Sequence, residues 1–368
     1  MPAINLRNIS KYFGSTHALD DVTFDVKDGE YLCILGSTGS GKTTLLRTIS
    51  GILSPNQGEI IFDGKNVNNV AAENRNAVYV PQTYALFPHL KVIDNVCFGP
   101  VSRGVDAENA KSKAMEILKL VRLEKRAESY PSELSGGMQQ RVALARGLAS
   151  GARLLLLDEP LGALDARLRL ELRTQLKQLA KDNGFTVIHV THDQEEAMSI
   201  GDRIMILRRG KLQQIGTPYH VYLRPENIFV ANFIGHTNFL EGIVMRRNSK
   251  GSTLRLRGDS RVTVDDISHT AEEVVIITIR EEKTQIFDHP VEYPNAISGD
   301  VSGAHFMGTF VRYEVRLDNG DRIAALRPSD LGLEKLKIGD RVMIAFEPSN
   351  TSVFDYPTLG LKRELEAY

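Results

Sequence analysis

The chain has 368 residues, 42% hydrophobic and 25% charged, with a net charge of −1. That length predicts two or three domains, the composition is that of a soluble globular protein, and no run of 18 apolar residues offers a membrane span. The charge also argues against nucleic acid as the main partner, since residues from His236 onward carry a net of −4 and those before it +3.

The N-terminal "MPAINLRNISKYFG" lacks the basic-then-apolar layout of a signal peptide, and the two cysteines, Cys33 and Cys97, form neither a disulfide framework nor a CxxC metal spacing. A cytosolic chain is expected. "YLCILG" (31–36) is an apolar run of strand length, and the helically spaced "TTLLRTISGIL" follows close behind it. Between them, Gly36-Ser37-Thr38-Gly39-Ser40-Gly41-Lys42-Thr43, followed by Thr44, fits G-x-x-x-x-G-K-[ST] in full. Its glycines let backbone N–H groups turn inward around a phosphate, and the helix start adds its positive dipole end. Lys42 can reach the β- and γ-phosphates, and the Thr43 hydroxyl can ligate Mg²⁺. The stretch is read as a nucleotide phosphate cradle.

From Gln82 to Ala149 strand signals give way to helical spacing, as in "NAKSKAMEILKLVRLEKRAE", which predicts a helical insertion. Inside it, Ser135-Gly136-Gly137 opens the helix "QQRVALARGLA" and offers a hydroxyl, unhindered N–H groups and a helix N-terminus. Two phosphate-binding ends in one domain make sense if the second serves a nucleotide held by another copy. "RLLLLDEP" (153–160) is an apolar strand ending on two carboxylates, with Asp158 placed toward a metal and Glu159 toward an attacking water. "LRLELRTQLKQLAKDNG" reads as a helix with a glycine stop, and "FTVIHVTHD" (185–193) as another buried strand. This alternation predicts an α/β domain with a largely parallel sheet over the first 235 residues.

After "NFIGHTNF" the pattern becomes short alternating strands: "EGIVM", "TLRLRG", "RVTVDD", "EVVIITIR", "TFVRYEVRLDNGDRIAAL" and "DRVMIAFEP". Asn-Gly in "RLDNGDRI" marks a hairpin. The last 130 or so residues are expected to form a small all-β domain with one or two OB-like barrels.

Taken in order, these segments resemble the nucleotide-binding subunits of ABC transporters. "LSGGMQQR" is similar to that family's signature, with Met138 where glutamine is commoner; Ser135, Gly136, Gly137 and Gln139 would then meet the ATP of a second copy. "VPQTYALFPH" resembles the Q-loop, with Gln82 contacting Mg²⁺ and sensing the membrane subunit. "GALDA" resembles the D-loop, with Asp165. "VTHD" resembles the switch, with His192 on the γ-phosphate, and "SKYFG" resembles the aromatic loop, with Phe13 stacked on adenine. The linker "QIGTPYHVYLRPENIFVANFIGHTNFLEG" (214–242) looks like the one leading into the OB-like TOBE regulatory domain of importers in the maltose, polyamine, iron and molybdate group. The tail departs at "ITIREEKTQIF", where Glu281 stands in a place the family often fills with proline.

The resemblance implies an α/β P-loop NTPase of the ABC type at 1–235, with a helical subdomain at about 84–150, followed by an all-β OB-like domain at 236–368. It implies ATP hydrolysis with Mg²⁺ held by Thr43, Gln82 and Asp158, with Glu159 and His192 as the catalytic pair in a homodimer closed on two ATP. The implied partners are integral membrane permease subunits and, indirectly, an extracytoplasmic solute-binding protein. The implied location is cytoplasmic, peripheral on the inner face of the membrane, with no nucleic acid bound. The Q-loop neighbourhood is closer to polyamine, iron and tungstate/molybdate importers than to sugar importers. A soluble ABC ATPase coupled to nucleic acid or the ribosome is the alternative. Only 53 residues separate Gln82 from Ser135, without sustained heptads, and the acidic tail also speaks against it.

Overall fold

Apolar and polar residues alternate along "THALDDVTFDV", and the chain there folds back on the strand before it. β1 (Ile4–Phe13) and β2 (Thr16–Val26) pair antiparallel, and β1 also takes β4 (Gln57–Phe62), to which β5 (Lys65–Asn66) is added. The resulting four-stranded antiparallel sheet was not foreseen in a domain expected to be largely parallel. Its strands show the two-residue period of a sheet with one covered face, and they cover the core from Ile4 to Phe62 on that side. The computed structural model describes residues 3–248, 251–265, 267–329 and 336–366; Asp266, the last residue of the "RVTVDD" run, lies outside them.

The second sheet is the parallel one. β3 (Tyr31–Leu35), β6 (Ala77–Val80), β7 (Leu154–Asp158), β8 (Thr186–Val190), β9 (Arg203–Arg208) and β10 (Lys211–Gly216) lie in the order β10-β9-β3-β8-β7-β6, all parallel except β10. Every residue of β3, β7 and β8 is buried, as strands covered on both faces require. Burial of one leucine from the run Leu154–Leu157 contributes about 1.5–3 kcal/mol. Around this sheet run α1 (Lys42–Ser50), α5 (Ala166–Asn183) and α6 (Gln194–Ile200), with α5 stopped by Gly184 in the left-handed region. The expected helical insertion comprises α2 (Val92–Ser102), α3 (Ala107–Leu120) and α4 (Gly136–Ala149).

The chain divides into two compact units, Met1–Val221 and Tyr222–Tyr368, with α7 (Pro218–Leu223) at the division. The second unit opens with α8 (Ile228–Phe233) and is otherwise almost entirely β. One antiparallel sheet has the order β13-β12-β11-β14-β20, from β11 (Thr237–Asn248), β12 (Gly251–Arg255), β13 (Arg261–Val264), β14 (Val274–Arg280) and β20 (Thr351–Asp355). The other, β15-β19-β16-β17-β18, is built from β15 (Gln285–Phe287), β16 (Asn295–Phe306), β17 (Phe310–Leu317), β18 (Arg322–Pro328) and β19 (Arg341–Phe346). A short α9 (Leu361–Glu366) follows. Both sheets share one core that runs from Leu240 and Ile277 to Val315 and Phe346, the barrel-like arrangement expected of an OB-type domain.

The hairpin at "RLDNGDRI" is present, but its loop has three residues with Gly320 left-handed (φ 86°), not a two-residue Asn-Gly turn. β16, "NAISGDVSGAHF", carried no strand signal in the sequence. Its inward positions include Gly299 and Gly303, and a Cβ on Gly299 would lie 2.6 Å from the Arg316 carbonyl of its neighbour. Close approach of β17 selects small residues there, and small residues hide the hydrophobic period.

Candidate functional site

Strand register brings the three motifs to one edge. Val190 of β8 is level with Ile34 of β3 on one side and Asp158 of β7 on the other. Gly36, Glu159 and His192 each come one or two residues past that level, so all emerge at the carboxyl end of the sheet, where ligands bind in open α/β folds.

The loop after β3 is shaped by glycine. Gly41, at φ 106°, caps α1, and a Cβ there would lie 2.4 Å from the Ala18 carbonyl; one on Gly36 would lie 2.4 Å from that of Leu207. Lys42 is buried and donates to the carbonyls of Gly36 (2.8 Å) and Ser37 (2.9 Å), so the ammonium is held at the centre of the loop. Burial lowers its pKa from the ordinary lysine range, while Glu159 and Asp158 pull it back up. Thr38 and Gly39 are exposed at the loop tip, and Thr44 lies half-buried in the first turn of α1. The Ser40 hydroxyl is buried without a hydrogen-bond partner among the described residues. A buried cation and an orphaned donor inside a ring of backbone amides suit a phosphate group.

Thr43 Oγ1 donates to Asp158 Oδ1 at 3.2 Å, which puts a hydroxyl and a carboxylate oxygen side by side. Among the described residues no three His, Cys, Asp or Glu side chains cluster to cage a metal. Such a sparse oxygen set fits Mg²⁺, which keeps water and takes substrate phosphates as its remaining ligands. Glu159, next in the chain, takes a left-handed backbone (φ 50°). Its Oε2 accepts from Gln82 Nε2 at 2.9 Å and lies 3.3 Å from His192 Nδ1. Gln82 and His192 are both exposed, free to meet a ligand.

Ser135 is the N-cap of α4, its hydroxyl accepting from the Met138 N–H, and Ser135 and Gly136 are exposed. Gly136 faces the Tyr84 hydroxyl and Gly137 the Ala163 carbonyl, so this helix start packs beside the cluster and not inside it. Gln139 folds back onto the carbonyls of Pro131 and Leu134. Asp165 caps α5, accepting from the Leu168 N–H, and is exposed. Phe13, at the end of β1, is half exposed, whereas the neighbouring Tyr12 is engaged by the His17 ring, 4.4 Å away.

Two residues not singled out in the sequence, Tyr79 and Gln140, join the site, and a third, His189, lies in the strand beneath the switch. Tyr79 of β6 donates to Asp158 Oδ2 at 2.9 Å, and burial pushes its pKa up to about 12. Gln140 of α4 donates to the Glu159 carbonyl at 2.8 Å and accepts from the Ala163 N–H at 2.9 Å. Below the switch, His189 is fully buried between the Tyr31 hydroxyl (2.9 Å) and Glu196 (3.4 Å), and burial lowers its pKa. Tyr79 and His189 carry no local signal, because each reaches its partner across strands; Gln140 lies inside "LSGGMQQR", but that motif does not show that its partner is the turn after Glu159.

Residues 19–162 match the family profile described as ABC transporter, and residues 277–354 the profile of the TOBE domain. The chain is 41% identical over 333 residues to a spermidine/putrescine import ATP-binding protein of Trichormus variabilis, covering 89% of this chain and 87% of that one. It is 38% identical over 359 residues to the protein of the same description from Thermotoga maritima, covering 96% and 98%. An Fe(3+) ions import ATP-binding protein of Fusobacterium nucleatum is 39% identical over 329 residues, covering 89% and 87%. Among solved structures, the dimeric cassette MJ0796 superposes with a TM-score of 0.55 at 34% identity, covering 58% of this chain and 98% of that chain. Its post-hydrolysis state with ADP and Pi superposes equally, at 33% identity. With its phosphate cradle, paired carboxylates and C-terminal β unit in that order, the chain belongs to the ABC transporter family as an import ATP-binding subunit, an ATPase carrying a C-terminal TOBE domain.

Proposed function

We propose that two copies of the chain close on two ATP molecules, each held between the Lys42 loop of one copy and Ser135-Gly136-Gly137 of the other. The carrying observation is the split within one chain. Lys42, Thr43, Asp158, Glu159, Gln82 and His192 gather at one edge, while the exposed helix start at Ser135 packs beside that cluster, against Tyr84 and Ala163, and not inside it. A helix start that is exposed and stands outside its own cluster is available to a partner's cradle.

In this reading the backbone amides from Gly36 to Thr44 and the Lys42 ammonium bind the β- and γ-phosphates, and Phe13 offers its exposed ring to the adenine. Thr43, Asp158 and Gln82 would hold Mg²⁺, which would neutralise phosphate charge there. Glu159 orients or deprotonates the attacking water, His192 holds the γ-phosphate, and Asp165 lines the contact between copies. Residues 1–235 act as the ATPase domain, with the helical part at about 84–150, and residues 236–368 as the regulatory domain. Beside the Q-loop, Val80, Ala85, Phe87, Phe98 and Ala143 line a groove of about 260 Å³ that supports docking of a helix from an integral membrane permease. Among the described residues no helix is long and apolar enough to cross a membrane. The chain would work as a peripheral subunit on the cytoplasmic face, linked through the permease to an extracytoplasmic solute-binding protein.

The test is the ATPase rate per subunit against protein concentration, with and without Glu159→Gln. We expect the rate to climb with concentration and the variant to bind ATP while turnover falls by about two orders of magnitude or more. A flat rate that survives the substitution would sink the reading.

A further inference from the structure

Glu159 sits where a β-carbon is unwelcome. A left-handed backbone is costly for a non-glycine residue, so something must hold it there. Its N–H is fixed by the Val190 carbonyl of β8 (2.9 Å), and its carbonyl, in the turn Glu159–Ala163, accepts a longer bond from the Gly162 N–H (3.3 Å). The strong bond on that side comes from Gln140, whose Nε2 donates to the Glu159 carbonyl at 2.8 Å while its Oε1 accepts from the Ala163 N–H at 2.9 Å.

We propose that Gln140 is a positioning residue for ATP hydrolysis: its carboxamide spans the Glu159–Ala163 turn and locks the left-handed backbone from which the Glu159 carboxylate reaches Gln82 and His192. The chemistry is specific to a carboxamide. One end of the turn offers an acceptor and the other a donor, and an amide answers both at any pH; leucine answers neither and an ionised glutamate only the donor. Gln140 is buried at 4% exposure, so water does not replace a lost partner there. It also has a fixed base. Gly137, three residues earlier on the same helical face, lies so close to the Ala163 carbonyl that a Cβ would stand 3.0 Å from it. Helix α4 therefore touches the turn at two points, at Gly137 and at Gln140. The proposal rests on the reading of Glu159 as the group that activates water.

The test uses the full chain with Gln140→Leu and Gln140→Glu, each also combined with Glu159→Gln. Release of the turn displaces the carboxylate without touching the cradle, so kcat should fall by about a hundredfold while ATP affinity stays within about threefold. Gln140→Glu keeps the size and an oxygen that accepts from the Ala163 N–H but, when ionised, cannot donate to the Glu159 carbonyl, so at pH values where it is ionised it should show the same kcat loss. In the Glu159→Gln background the Gln140 changes should cost single-turnover hydrolysis nothing further, since they act through a carboxylate already gone. A further independent loss in that background, or parallel loss of ATP affinity and thermal stability with kcat retained, overturns the proposal. Undiminished hydrolysis by Glu159→Gln alone would instead overturn the reading of Glu159 beneath it.

Discussion

At the scale of single residues, the Asp158 carboxylate is shared between two hydroxyls. Oδ1 faces Thr43 and Oδ2 accepts from Tyr79, whose hydroxyl in turn receives Arg47 Nε at 3.4 Å. This fixes which oxygen is left for a cation beside Thr43. Tyr79→Phe removes one bond and keeps the ring, so the Mg²⁺ concentration for half-maximal ATPase should rise about three- to tenfold with little change in fold. Identical Mg²⁺ titrations would exclude Tyr79 from the site. The same phenol gives a pH prediction. Because burial raises its folded pKa from 10.0 to about 12, its contribution is fully present below pH 10 and lost as pH climbs toward 12. Thermal unfolding followed from pH 9 to 12 should therefore decline less steeply for Tyr79→Phe than for the wild type.

At the scale of elements, buried carboxamides recur as joints. In the second unit Asn238 of β11 accepts from the Ala324 N–H and donates to the Ala324 carbonyl of β18 and to Thr284, while Asn295 of β16 exchanges the same pair of bonds with Thr263 of β13. Each mimics a strand peptide and ties one five-stranded sheet to the other. Asn238→Leu should destabilise the second unit by about 2–3 kcal/mol through unpaired buried amide groups. Calorimetry of the full chain checks this, and an unshifted transition would remove the joint. Glu281 belongs to the same unit. Its carboxylate accepts a bidentate Arg312 (2.7 and 2.8 Å), which accounts for an acid at a position where the resemblance led one to expect proline. Elsewhere Arg146 of α4 donates to the carbonyls of Tyr84 and Ala85, both left-handed, so the signature helix also holds the turn after Gln82.

At the scale of the whole molecule, the proposed closure makes function depend on a second copy, and complementation can expose that dependence. Ser135→Arg should block one copy's service to its partner's ATP, and Glu159→Gln should disable its own. Mixed in equal amounts, the two inactive chains form heterodimers in which the cradle and Glu159 of the first face an intact signature on the second. Random pairing then restores roughly a quarter of wild-type activity. No restoration on mixing would argue that each chain completes its own site.

The sequence by itself determined the phosphate loop Gly36–Thr43, the carboxylates Asp158 and Glu159, and the helix start at Ser135, because each is contiguous and its chemistry depends on neighbours along the chain. It also determined the α/β-then-β order, since hydrophobic period is a local property. Tertiary structure alone decided what stands beside what. The order β3-β8-β7-β6 brings Tyr79 to Asp158 across 79 residues, and α4 docking brings Gln140 to the turn after Glu159. The antiparallel N-terminal sheet and the glycine-bearing β16 likewise follow from packing partners far away in sequence. Hydrogen bonds between distant elements leave no periodic trace, and a strand whose inward residues are small gives none either, so these parts of the site and fold became visible only once the chain had closed on itself.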